Sequence, residues 1–124
     1  PSRSRSRRAR TTRRARRANN YATILVELKR FEEANSLLCK MIPAARRVLG
    51  ESHQLTLRMR GVYAVALHRN CATLEDQREA VATLEETERA MRRVFGGAHP
   101  ITMAITGALQ RARAALRATL PENQ

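Results

Sequence analysis

Residues 48–61 read VLGESHQLTLRMRG and residues 94–107 read VFGGAHPITMAITG, one phrase written twice at an offset of 46 residues. In each copy an apolar pair precedes a glycine, Gly50 or Gly96. A histidine follows three residues later, His53 or His99, then a threonine three further on, and the phrase closes at Gly61 or Gly107. A fixed offset of this size marks a supersecondary unit used more than once. Such units must stack, because none buries its apolar face alone. The glycine at the head of each phrase suits a helix stop, since only glycine takes the left-handed cap conformation without strain.

At 124 residues the chain holds one domain's worth of sequence at most. Its hydrophobic share of 43% with 3% aromatics points to a core of Ala, Leu, Val and Ile, which suits close-packed helices better than a sheet of large β-formers. No apolar run approaches the roughly 18 residues that span a bilayer, and the amino terminus lacks the apolar core of a secretory signal. No membrane association is therefore expected, and the expected location is cytoplasmic, with the nucleus as alternative. Cys39 and Cys71 are isolated, with no C-x-x-C, and fit reduced, packed thiols rather than a disulfide or zinc site.

The net charge of +13 is concentrated in one place. Residues 1–17, PSRSRSRRARTTRRARR, hold nine arginines and no acid; without them 15 basic residues stand against 11 acidic ones, a balance of +4. The stretch has no hydrophobic residue larger than alanine, so it is expected as a disordered tail or linker. Arg3, Arg5, Arg7, Arg8, Arg10, Arg13, Arg14, Arg16 and Arg17 would still neutralise phosphates by counterion release. Salt-sensitive, sequence-indifferent affinity for RNA or another polyanion is the alternative function of the chain.

From Ala18 onward the apolar spacing is helical. Tyr21, Leu25 and Leu28 share a face of a first helix, and Lys29-Arg30 form a short turn. Phe31, Ala34, Leu38, Met41 and Ala45 step by three and four along a second helix, which Pro43 is expected to kink or to loosen in its last turn. Leu55, Met59, Tyr63, Ala66 and Leu67 mark a third. Ala80, Leu84, Thr87, Met91 and Val94 mark a fourth, ending at Gly96-Gly97. Leu25 to Ala34 spans nine residues and Leu67 to Ala80 thirteen, so the second unit carries four extra residues, assigned to a loop over Asn70 to Glu75. Pro100 suits the first turn of a fifth helix with Ile101, Ile105, Leu109, Ala112 and Leu116 along its packing stripe. The fold class is thus all-α: helical hairpins over 18–118, a right-handed α-solenoid of about two and a half units, followed by a polar C-terminal tail over 119–124.

The stretch NNYATILVELKRFEEANSLLCKMIPAARRVLGESH resembles a tetratricopeptide repeat of the kinesin-light-chain type. That family's pattern is an Asn-Asn-Leu-Ala start, a Gly-Lys-Tyr-Glu-Glu-Ala turn and a Leu-Gly-x-x-His-Pro bend. Asn19, Asn20, Ala22, Phe31, Glu32, Glu33, Ala34, Leu49, Gly50 and His53 stand at those places. Lys29 replaces the turn glycine, Gln54 the bend proline, and Gly61-Val62 the second Asn pair. The resemblance covers residues 19–118, more loosely in the second hairpin.

What the resemblance implies is a protein-interaction scaffold whose first helices line a concave groove and hold a peptide or partner protein. Carried over by position, the peptide-binding candidates are Asn19, Asn20, Thr23 and Glu27 in the first unit, and Val65, His68 and Arg69 in the second. Asn suits this role because it offers donor and acceptor together and pairs with a peptide unit whatever its side chain. His53 and His99 read as structural, capping or packing in the bends. No phosphate loop, no H-E-x-x-H and no nucleophile with a base can be assembled, so neither enzymatic activity nor a cofactor is expected. His68 and Cys71 alone do not make a metal site.

Overall fold

The computed structural model describes residues 2–120, all-helical with no strand among them. The helices are α1 (Ser2–Glu27), α2 (Phe31–Val48), α3 (Gln54–Arg69), α4 (Leu74–Phe95) and α5 (Pro100–Thr119). Two compact units divide the chain, Pro1–Tyr63 and Ala64–Gln124, with α3 crossing from the first into the second. Among the described residues, no helix is long and apolar enough to cross a membrane.

In the first unit α1 packs on α2. The buried side of α1 is made by Ala15, Ala18, Ala22, Leu25 and Val26, and that of α2 by Ala34, Leu38, Ile42 and Ala45. Alanines on both helices let the backbones approach closely, while Leu25 and Leu38, at 1% and 0% exposure, are the largest fully buried side chains of the pair. Each contributes about 1.5–3 kcal/mol. Tyr21 and Leu28, expected on the packing stripe, are instead 53% and 60% exposed. The stripe follows the small residues at 15, 18 and 22 and not the large ones at 21 and 28.

The arginine-rich residues from Ser2 to Arg17 are the first half of α1 and not disordered. Arginine and alanine are both strong helix formers, and Ala15, with no exposed surface, anchors the segment. The Arg8 guanidinium donates to the Val48 carbonyl at 3.3 Å, satisfying an oxygen at the C-terminal end of α2 where the helix dipole favours a cation.

The turn after α1 closes by two backbone bonds, Arg30 N–H to the Leu25 carbonyl at 2.8 Å and Lys29 N–H to that of Val26 at 3.0 Å. This places Lys29 at a φ of 63°, the left-handed region, where a side chain costs about 1–2 kcal/mol. α2 is continuous through Pro43.

In the second unit α4 packs on α5. Ala80, Leu84, Thr87, Ala90 and Met91 are buried on α4, and Thr102, Ile105, Ala108, Leu109 and Ala112 on α5. Val94, expected in the stripe, is 41% exposed. Of the four extra residues assigned to a loop, most lengthen α4 itself: the helix starts at Leu74, so Ala80 is its seventh residue whereas Ala34 is the fourth of α2. A capping box causes this early start. Thr73 Oγ1 accepts from the Asp76 N–H at 3.1 Å, and an Asp76 carboxylate oxygen accepts from the Thr73 N–H at 3.3 Å. At the other end, α5 runs on to Thr119 with Leu120 as its cap, so the expected polar tail starts no earlier than 120, and its residues 121–124 lie outside the described part.

Candidate functional site

The two bends that repeat in sequence repeat in geometry. Gly50 and Gly96 both take positive φ, 104° and 90°. In each, the histidine N–H donates to the glycine carbonyl at 3.3 Å. Its ring Nδ1 then accepts from the backbone N–H two residues on, Leu55 or Ile101, at 3.1 Å in both. An N–H that the first helical turn would leave unsatisfied is thereby capped by imidazole in place of the usual Ser, Thr, Asp or Asn. Thr56 and Thr102 are fully buried behind the caps, each with an Oγ1 that has no hydrogen-bond partner. The histidines are helix caps, in keeping with the structural role the sequence suggests for them.

Asn19 and Asn20 line a pocket of about 340 Å³ together with Arg16 from α1, His53 from the bend, and Gln54, Leu55 and Arg58 from the start of α3. Its chemistry is amide and guanidinium. Asn20 is exposed and Asn19 half-buried, and the Asn19 Oδ1 is a buried acceptor without a hydrogen-bond partner. Burial lowers the His53 pKa below the usual imidazole value, and the positive charge of Arg8 adds to the effect. Both effects favour the neutral ring, which its accepting Nδ1 requires.

Thr23 and Glu27, on the next turns of α1, are exposed and do not line this pocket; the Thr23 hydroxyl donates to the Asn19 carbonyl at 2.8 Å. Val65, His68 and Arg69 lie on the part of α3 that belongs to the second unit. Val65 and His68 are half-buried and Arg69 is exposed. Burial, then Arg111 and Arg69, lower the His68 pKa. The Cys71 thiol donates to the Leu67 carbonyl at 3.1 Å, and burial followed by Asp76 and Glu79 pushes its pKa up, which keeps it protonated and a poor nucleophile. Cys39, expected as a packed thiol, is exposed.

The pocket residues that sequence reasoning missed are Gln54 and Arg58. Their signal was the bend itself: the first turn of the helix after Gly50 must come back past the Asn19 level of α1 for the hairpin to continue. By composition Arg16 belongs to the arginine-rich stretch, but its spacing of three from Asn19 sets it on the same helix face.

The other arginines of α1 fall into groups. Arg3, Arg7, Arg10 and Arg14 line a groove of about 650 Å³ against Ala44, Arg47 and Val48 of α2. Arg17 lines its neighbour, with Tyr21, Leu37 and Met41, and Arg14 belongs to both. Arg8 caps α2. Arg5 and Arg13 are exposed and line neither groove.

Compared with models of known protein families, with curated protein sequences and with solved structures, the chain matches none.

Proposed function

We propose that this chain is a tetratricopeptide-like interaction module whose first unit binds an extended peptide through the peptide's backbone. The observation that carries the reading is the Asn19 amide: a buried acceptor without a partner, at the wall of a pocket that also presents the exposed amide of Asn20. Leaving a buried acceptor unsatisfied costs about 1–3 kcal/mol, and a peptide N–H supplies the missing donor. An asparagine pair offers donors and acceptors at once, which is what an extended backbone asks of a surface. Arg16 at the same wall favours a peptide carrying an acidic side chain next to the paired backbone. In this reading the resemblance of the sequence to kinesin-light-chain repeats assigns Thr23 and Glu27 to the rim. Val65, His68 and Arg69 are the second unit's own peptide-contact candidates by the same resemblance, and Val65 there favours a hydrophobic side chain.

Selection from a random peptide library on the full chain tests this, followed by the Asn19→Ala/Asn20→Ala variant. Enriched peptides should bind the variant about tenfold more weakly while its helical circular dichroism is unchanged, since losing one or two hydrogen bonds of this kind costs about 1.4 kcal/mol. Enriched peptides that bind the variant equally well, or no enrichment at all, would remove the backbone-pairing reading.

A further inference from the structure

We infer that the groove between α1 and α2 is a binding site for single-stranded nucleic acid, with arginines holding the phosphates and Tyr21 stacking on a base. Arg3, Arg7, Arg10, Arg14, Arg17 and Tyr21 follow one another at steps of four, three, four, three and four residues. On a helix, that spacing is a single straight stripe. At 1.5 Å rise per residue the arginines succeed one another every ~4.5–6 Å, a spacing that lets consecutive phosphates of one extended strand be met in turn. Arg47 of α2 adds a cation from the opposite wall, and no acidic residue lines either part of the groove. The first acidic residue of the chain is Glu27, beyond the stripe.

Two further observations separate this from a merely solvated charge run. Like charges three and four residues apart on a helix are destabilising, so a stripe of five arginines works against α1 until an anion neutralises it. Tyr21 is the second: it is 53% exposed at the end of the stripe, in a mostly apolar stretch of groove with Leu37 and Met41. An aromatic face next to a basic track is what a single strand requires, because its unpaired bases stack while its phosphates are neutralised. A duplex hides those faces, and an acidic peptide has none. This site lies on a different face of α1 from the Asn19 pocket, so either can fail without the other.

The test is fluorescence anisotropy of labelled oligo(dT) 20-mer with the full chain, over a range of salt. Arg7→Gln/Arg14→Gln, on the stripe, is compared with Arg5→Gln/Arg13→Gln, which has the same net charge on the same helix. The stripe variant should weaken binding at least tenfold and reduce the magnitude of the salt slope by about 1.4, from ~0.7 per phosphate on a single strand. The control should change affinity less than about threefold. Tyr21→Ala should weaken oligo(dT) fivefold or more, yet leave binding to inorganic polyphosphate, which has no base, unaltered. Circular dichroism of each variant checks that α1 persists. Equal losses in both arginine variants, equal or tighter binding of the oligo(dT)·oligo(dA) duplex, competition by oligoglutamate at matched charge, or an unaffected Tyr21→Ala would each overturn the assignment.

Discussion

The bend between α2 and α3 and the bend between α4 and α5 share a backbone and differ in what ties it down. In the first, Glu51 lies in the loop and reaches two arginines, Arg46 at 3.1 Å and Arg60 at 3.6 Å. In the second, Gly97 stands at the place of Glu51, and the acid comes from a helix. Glu88 accepts from Arg92 at 3.2 Å and from the Thr106 hydroxyl at 2.8 Å. Arg46 and Arg92 are 46 residues apart, as are Arg60 and Thr106. The same two positions are thus bridged by a carboxylate in both bends, although the carboxylates occupy unrelated places in the sequence. What the repeat conserves is the closure of the bend, and the acid that completes it is interchangeable.

The largest effect is expected at the glycines. At neither Gly50 nor Gly96 would an added Cβ meet a neighbour within 4 Å, so the cost of alanine there is backbone strain alone. Gly96, with φ 90° and ψ 153°, lies in a region that essentially only glycine occupies. Gly96→Ala should cost about 2–3 kcal/mol in denaturant unfolding, and Gly50→Ala somewhat less, about 1–2 kcal/mol. Two unchanged midpoints would mean that the bends do not hold the chain in these conformations.

The caps come next. His53→Ala and His99→Ala each remove an acceptor from a helix N-terminus, worth about 1 kcal/mol. His99 should cost the more, because its ring also packs at a tilt against Phe95 with centroids 4.8 Å apart. Asparagine at either place should recover most of the cap, and only at position 53 should it recover nearly all of the stability.

Acid separates the bends further. The folded-state pKa of His53 is lowered, so the native state binds fewer protons than the unfolded chain around the ordinary imidazole value of 6.5; this stability is present above that pH and lost as the pH falls. Glu88 is also lowered, chiefly by the Thr106 hydrogen bond, against burial and with help from Arg92 and Arg113. Its contribution is present above the ordinary value of 4.5 and is lost below it. Unfolding midpoints followed from pH 8 to 3 should show two separate declines. His53→Asn should reduce the upper one and Glu88→Gln the lower one; a lower decline indifferent to Glu88→Gln would contradict the bridging role.

Helix number and the bends were legible because periodicity and a glycine at a fixed offset are local signals. The helical state of residues 2–17 was hidden by composition: lacking large apolar residues, the segment reads as disordered, and only the burial of Ala15 and the Arg8 bond to Val48 show what orders it. The extra length of the second unit reads as loop because the Thr73–Asp76 capping box that starts α4 lies in a polar stretch with no apolar periodicity of its own. At the candidate site, the Asn pair was found through a family pattern. The arginine stripe is present in the sequence as an i, i+4, i+7 spacing but reads only as charge there, since its groove exists only once α2 lies beside α1.

The smallest effect tests the interchangeability of the acids. Glu51 is 63% exposed and its pairs are therefore screened, so Glu51→Gln should cost only about 0.2–1 kcal/mol. Glu88, at 16% side-chain exposure and with a hydroxyl donor of its own, should cost more when changed to Gln, and Thr106→Val should reproduce much of that loss. If one closure substitutes for the other, a glutamate introduced by Gly97→Glu should partly rescue Glu88→Gln, because it stands at the place of Glu51 and its Cβ lies beside the Arg92 guanidinium, 2.7 Å from Nη1, a flexible end that must shift to pair with it. The double variant is compared with each single one in urea. Rescue of about half the Glu88→Gln loss supports a shared closure; a double variant no more stable than Glu88→Gln alone would show that the second bend uses its acid only from the helix, and that the two bends converge on geometry by separate means.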